Sequence, residues 1–102
     1  MARNLAIFLP GMGSGTQAAY TTTTSSSTAV AANSSRRYLL IQNNSDTDIY
    51  IRLDGGTAHA TNGTSFKIAA SGGSLELTTW VPTGIITAIN ASGSKVLTYL
   101  EG

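Results

Sequence analysis

The amino-acid sequence predicts an all-β protein, a small antiparallel β-sandwich or barrel of about six strands. Three observations lead to this prediction. Short apolar stretches recur at intervals of about ten residues, turn-forming clusters rich in glycine, asparagine and serine separate them, and no stretch has the roughly 3.6-residue period of an amphipathic helix. A length of 102 residues fits a single domain with a modest core.

Two neighbouring stretches give the clearest strand signal. Residues 38–42 and 49–53 are largely apolar, and residues 43–48 between them are small polar residues that favour turns. Apolar side chains alternate with other side chains in the second stretch, which is the period expected when one face of a strand meets a core. The two stretches are predicted to pair as a β-hairpin, in which residues 43–48 do little beyond forming the turn.

Four more strands are predicted after this hairpin. Asn62-Gly63 and Gly72-Gly73 are turn signals, and Pro82 with Gly84 predicts a corner because proline lacks the N–H that a central strand would use. A short loop at residues 91–94 is typical of a hairpin. The four strands are residues 64–69, 74–78, 85–90 and 95–101.

The predicted core consists of the apolar residues that alternate along these strands. In residues 38–41 and 85–89 apolar residues are consecutive, so the pattern allows two registers that differ by one residue and bury opposite faces of the strand. The predicted core residues are Leu39, Ile41, Ile49, Ile51, Leu53, Phe66, Ile68, Leu75, Leu77, Ile86, Ile89, Val96 and Leu100.

The first third of the chain, residues 1–35, is predicted to be an extended or flexible arm, and residues 36–102 the β-sandwich body. The arm is rich in threonine, serine and alanine, so it has too little apolar surface to order by itself. Residues 4–9 are a candidate strand and residues 29–32 a marginal one; a simple linker is the alternative. The residues proposed to anchor the arm on another subunit are Leu5, Ile7, Phe8, Leu9 and Tyr20.

Charge and composition point away from several classes of function. The formal net charge is +1 and the charges are scattered, so no basic patch for nucleic acid is expected. The chain has no cysteine, which excludes disulfides, thiolate nucleophiles and thiolate metal sites. The apolar run at residues 5–9 is shorter than the core of a signal peptide, so neither export signal nor membrane span is expected.

No arrangement of residues predicts catalysis, and no cofactor or metal is expected. His59 is the single histidine, and it is interpreted as an exposed loop residue. The carboxylates of Asp46, Asp48 and Asp54 do not have the spacing of a calcium loop. Trp80 beside Pro82 could form a platform for a sugar, although a tryptophan at a corner more often covers its own core.

Three segments together resemble small virion proteins of tailed bacteriophages. They are RRYLLIQNNSDTDIYIRLDG, with the pattern R-x-x-L-x-I-Q-N, then a glycine-linked segment that ends in SLEL, and then VPTGIITAINASGSKVLTYLEG, with a P-x-G-x-I-x-A corner before a V-x-E-G-like stretch. The similarity covers residues 36–102, about two-thirds of the chain. The N-terminal third is not matched.

The resemblance implies a capsid decoration (cement) protein, or a related head or tail accessory protein, without catalytic residues. Such a protein has a β-sandwich or jelly-roll-like body, often forms a homotrimer and binds the shell of major capsid protein. It would lie on the capsid surface of the virion, and in the host cytoplasm during assembly, without nucleic acid, membrane or small-molecule substrate as a partner. Candidate subunit-interface residues are Arg36, Arg37, Tyr50 and Trp80.

Two other functions remain open from the sequence. One is a carbohydrate-binding or receptor-binding module in which Trp80, Tyr50 and Tyr99 meet a glycan. The other is a component of the tail or of the head–tail connector, present in far fewer copies than a capsid protein.

Overall fold

The computed structural model describes residues 15–102, and this part of the chain consists of β-strands and connecting loops. The all-β sandwich predicted from the sequence is confirmed, with eight strands in the described part of the chain instead of about six. The strands are β1 (Thr16–Thr22), β2 (Ser27–Val30), β3 (Leu39–Asn43), β4 (Ile49–Arg52), β5 (Phe66–Ile68), β6 (Ser74–Leu77), β7 (Ile86–Asn90) and β8 (Lys95–Glu101).

The strands form two four-stranded antiparallel sheets. One sheet, called sheet A, has the order β1-β8-β3-β6, and the other, sheet B, has the order β2-β7-β4-β5. The chain moves from one sheet to the other at every connection between the described strands except β4–β5. Two four-stranded sheets wound in this alternating way are a jelly roll.

The predicted hairpin is wrong in its pairing, although both of its strands exist. Strand β3 lies in sheet A beside β6 and β8, whereas β4 lies in sheet B beside β5 and β7. The loops at residues 69–73 and 91–94 likewise pass between sheets instead of closing hairpins. Apolar alternation identifies a strand and its buried face, but it carries no information on which sheet receives the strand.

The arm predicted for residues 1–35 is also wrong for residues 16–30. Strand β1 pairs with β8 along its whole length, from Thr16 opposite Glu101 to Thr22 opposite Lys95, and β2 pairs with β7. These residues are therefore one edge of the sandwich body. The predicted strand at residues 29–32 corresponds in part to β2, and residues 1–14 lie outside the described part of the chain.

The core lies between the sheets and is made mainly of β-branched and leucine side chains. Its buried residues are Ala29, Val30, Leu39, Ile41, Ile49, Ile51, Ile68, Ile86, Ala88 and Leu97. In β8 the predicted register is off by one, because Leu97 is buried while Val96 is 39% exposed. Of the other predicted core residues, Ile89 and Leu100 are half-buried and Phe66 is exposed.

One end of the sandwich is closed by two buried asparagines that end β3 and β7. The Asn43 amide donates to the carbonyls of Thr47 and Ile68, at 2.8 and 2.9 Å, and its oxygen accepts from Ser45. The Asn90 amide donates to the Thr22 hydroxyl at 2.7 Å. Each asparagine therefore holds the loop that follows it and also bonds to another strand of the body.

The β4–β5 connection, residues 53–65, folds over the outer face of sheet B. The Thr87 hydroxyl of β7 donates to the Gly56 carbonyl at 2.6 Å, and the Ala58 amide donates to the Ser26 hydroxyl at 2.9 Å. Ala58 of this connection is fully buried. This loop thereby fixes the positions of Leu53, Asp54 and Thr64 beside the edge of the sandwich.

Candidate functional site

An apolar groove opens at the edge of the sandwich that is formed by β5 of sheet B and β6 of sheet A. Both are edge strands of their sheets, and both are short. The groove has a volume of about 420 Å³, which lies within the range typical of binding pockets. Its lining residues are Arg52, Leu53, Asp54, Thr64, Phe66, Leu75, Leu77 and Trp80.

The groove is an outward continuation of the core. Phe66 pairs with the buried Ile51, and Leu75 and Leu77 pair with the buried Ile41 and Leu39, so all three groove residues face the space between the sheets. Phe66 is nevertheless 62% exposed, and the two leucines are only half-buried. The sandwich therefore lacks apolar cover at this edge.

Trp80 also lines the groove and is 63% exposed. It lies in the connection between β6 and β7, just before Val81, which packs against the core, and Pro82, which is buried. The neighbouring residues thus anchor the corner while the indole remains outside. Two large exposed aromatic side chains beside half-buried leucines form the kind of contiguous apolar patch that marks interaction surfaces.

A single ion pair lies among the groove-lining residues, between Arg52 and Asp54. The Arg52 Nε atom is 3.0 Å from Asp54 Oδ1, and the Gly56 amide donates to the same oxygen at 2.9 Å. The hydrogen bond from Arg52, followed by that from Gly56, lowers the pKa of Asp54 to about 2 from an ordinary value of 3.8. The ion pair raises the pKa of Arg52 in turn.

The Asp54 carboxyl should titrate near pH 2, and the substitution Arg52→Gln should raise its pKa towards 3.8. Because the folded pKa is below that of the unfolded chain, the ion pair stabilises the folded state above about pH 4, and this contribution is lost as the pH falls towards 2. Carboxyl chemical shifts followed by NMR through an acid titration measure both values. An Asp54 pKa that Arg52→Gln leaves unchanged would show that the ion pair does not hold the carboxylate.

Of the predicted arm-anchor residues, Leu5, Ile7, Phe8 and Leu9 lie outside the described part of the chain. Tyr20 belongs to β1, where it packs against the core, and its hydroxyl is 2.5 Å from the Ser27 hydroxyl. Tyr20 therefore contributes to the body itself.

The predicted interface residues have different surroundings. Arg36 is buried, with its Nε atom 2.7 Å from Glu101 Oε1 and its guanidinium donating to the carbonyls of Ala31, Pro82 and Gly84. Arg37 is exposed. Arg36 thus bonds within its own chain, and Trp80 alone among the four predicted residues lines the groove.

The three aromatic residues considered for glycan contact are also separated. Trp80 lines the groove, Tyr50 lies on the outer face of sheet B, and Tyr99 packs against the core in sheet A. A platform made of all three does not exist in the described fold. A glycan at this edge would meet Trp80, Phe66 and the ion pair instead.

The groove-lining residues offer apolar contact and one ion pair. His59 is exposed on the β4–β5 loop, where its backbone amide donates to the Ser65 hydroxyl at 3.0 Å. Within residues 15–102 no group of three or more histidine or carboxylate side chains could hold a metal ion. No helix in this part of the chain is long and apolar enough to cross a membrane.

The sequence analysis assigned four of the groove-lining residues, Leu53, Phe66, Leu75 and Leu77, to the core. The alternation that predicts Phe66, Leu75 and Leu77 as inward-facing is correct, but it does not reveal that β5 and β6 end their sheets. A signal was present in the glycine- and serine-rich segments around these short strands, because edge strands tend to be short and interrupted.

Comparisons with known proteins give no identification. No family model, no curated protein and no solved structure matches this chain.

Proposed function

We propose that this chain is a non-enzymatic structural protein of a tailed-bacteriophage virion, most simply a capsid decoration protein that binds and stabilises a shell of major capsid protein. The observation that carries the proposal is a small jelly roll whose apolar core opens at one edge into a groove with two exposed aromatic residues. A rigid body with an uncovered apolar edge is suited to assembly with other protein subunits, including further copies of itself.

The fold supports this proposal as an analogy. Jelly rolls are common in viral capsid proteins, but they also occur in lectins and in enzymes, so the fold alone does not determine the function. The resemblance of residues 36–102 to phage virion proteins favours the capsid role among these. A homotrimer on the capsid surface is part of the proposal.

Binding in many copies would allow such a protein to stabilise the shell. Each contact made by a body of this size is small, but a shell presents many identical sites, and neighbouring contacts raise the effective concentration of one another. Bridging between adjacent capsomers would then resist the expansion or rupture of the shell.

Counting copies per particle by quantitative mass spectrometry tests the capsid role. A decoration protein should be present in hundreds of copies and should rebind stripped heads, whereas a head–tail connector or tail component should be present in low tens. Heads rebound with the full-length Trp80→Ala variant should carry fewer copies than heads rebound with Ser25→Ala, a substitution at an exposed site on the opposite edge. Absence of the chain from particles would overturn the proposal.

A second candidate is a carbohydrate- or receptor-binding module on the virion. The observation that favours it is the exposed indole of Trp80 beside Asp54 and Arg52, because sugars stack on flat aromatic faces while carboxylates and guanidinium groups bond their hydroxyls. A glycan array probed with the full chain and with Trp80→Ala distinguishes the two candidates. Binding that depends on Trp80 would favour the module.

A further inference from the structure

We infer that the groove between β5 and β6 is the acceptor for residues 4–9 of a second copy of this chain, so that the copies join head to tail. This inference deepens one part of the proposed function, the contact between neighbouring subunits, and rests on that part alone. It requires neither a capsid nor any other partner.

The groove lacks apolar cover and backbone hydrogen-bond partners, and an added strand would provide both. Phe66, Leu75 and Leu77 face the space between the sheets by register, yet they are exposed or half-buried. The outer edges of β5 and β6 carry no neighbouring strand in the described part of the chain, so their backbone N–H and C=O groups can pair with an extended segment. An apolar strand laid here would complete both the core and one of the sheets.

Residues 4–9 have the chemistry that such an acceptor selects. They read NLAIFL, with apolar residues throughout 5–9 and no charged side chain. In an extended conformation Leu5, Ile7 and Leu9 would share one face, because side chains alternate along a strand. Those three side chains would enter the groove, and the backbone would pair with an edge strand.

The position of Gly15 favours a second copy as the donor. Thr16, Glu101, Leu39 and Leu77 lie in one row across sheet A, so the chain enters β1 level with the groove residue Leu77 but at the opposite edge of the sheet. The two edges are three strand spacings apart, about 14 Å. Donor and acceptor on opposite edges of one body form a heterologous contact, which closes into a ring when the rotation between copies allows it.

Reach does not limit this arrangement. Residues 9–15 can span about 20 Å when extended, and Pro10, Gly11 and Gly13 lie within this stretch. The donor segment of one copy can therefore leave its β1 edge and enter a groove that faces that edge. A return to its own groove, about 14 Å away, lies within the same reach but would require the segment to run across its own sandwich.

The absence of cysteine from the chain gives a direct test. Two full-length variants, Ile7→Cys and Thr64→Cys, are mixed in equal amounts and treated with a short bismaleimide. Thr64 lines the groove and is exposed, so its replacement is conservative. We expect a cross-linked heterodimer containing one chain of each variant, and little product when Ser25→Cys, at an exposed turn on the other edge, replaces Thr64→Cys.

The other outcomes overturn the inference in distinguishable ways. A double variant, Ile7→Cys with Thr64→Cys, that forms only an internal link would show that the segment returns to its own groove. Equal yields with Thr64→Cys and Ser25→Cys, or no product with either, would remove the groove as the acceptor. Since Trp80 lines the groove, adding Trp80→Ala to the Thr64→Cys chain should reduce the yield of cross-linked heterodimer about tenfold. Because purified protein is used throughout, failure here leaves the test on virions unaffected.

Discussion

Replacing Arg36 with alanine should lower the free energy of unfolding by about 3–5 kcal/mol, the usual cost of removing one partner from a buried ion pair. The Arg36 side chain is fully buried, and that of its partner Glu101 is 13% exposed. The substitution would leave this carboxylate without its cation and would also leave the carbonyls of Ala31, Pro82 and Gly84 without a donor. Urea denaturation followed by circular dichroism measures the loss.

Arg37 provides a matched control at the next position. It is exposed, and its backbone amide, which any substitution except proline retains, donates to the Gly102 carbonyl at 2.7 Å. Arg37→Ala should therefore change stability by no more than about 0.5 kcal/mol. The variant Arg36→Lys should recover part of the loss, because an ammonium group keeps the charge but cannot reach several acceptors as the planar guanidinium does. Equal losses for Arg36→Ala and Arg37→Ala would contradict the structure.

The substitution Asn43→Ala should cost about 3 kcal/mol, because it leaves several buried polar groups unpaired at roughly 1–3 kcal/mol each before relaxation. Asn43 is fully buried at the end of β3. Its amide donates to a carbonyl of the crossing loop and to the carbonyl of Ile68 in sheet B. The side chain thus joins the two sheets at the point where the chain passes between them. Chemical denaturation again measures the effect.

Asn44 is the control for this prediction. Its side chain is exposed and donates to the Thr98 hydroxyl at 2.7 Å, so Asn44→Ala should be nearly neutral. Asn43→Asp distinguishes the accepted hydrogen bond from the two donated ones. The carboxylate still accepts from Ser45 but cannot donate to the carbonyls of Thr47 and Ile68. If Asn43→Asp were as stable as the unchanged protein, the two donated bonds would contribute nothing.

The strands of residues 36–102 could be predicted because alternation is a local property. Residues 95–101 coincide with β8, and the other five predicted strands overlap β3 to β7. Their pairing could not be predicted, since a connection of four or five residues fits a hairpin and a crossing between sheets equally well. Asn43 illustrates the limit, because the sequence suggests a turn residue and only the fold reveals that this residue of sheet A bonds to Ile68 of sheet B.

Strand β1 escaped prediction, and β2 was predicted only in part, at residues 29–32, because the composition of this segment is polar and small. The inward-facing residues of β1 include Ala18 and Tyr20, which give little apolar signal, and the rest of the strand is largely threonine. Threonine is β-branched and favours strands, so the run after Tyr20 was a signal for extended structure. The groove could not be predicted from the sequence either, because the exposure of Phe66 depends on which strands lie at the edges of the sheets.

The pairing of β1 with β8 has a consequence for how the protein is made. Thr16 meets Glu101, so this pair of strands closes a loop of almost the entire described chain. Loop-closure entropy must be overcome before that pairing becomes favourable, which slows folding in proteins with distant contacts. During synthesis on the ribosome β1 emerges first, yet it has no partner until residues 95–101 have been translated. Completion of sheet A should therefore follow the synthesis of the whole body, and chaperones have time to engage the unpaired β1 strand before it pairs.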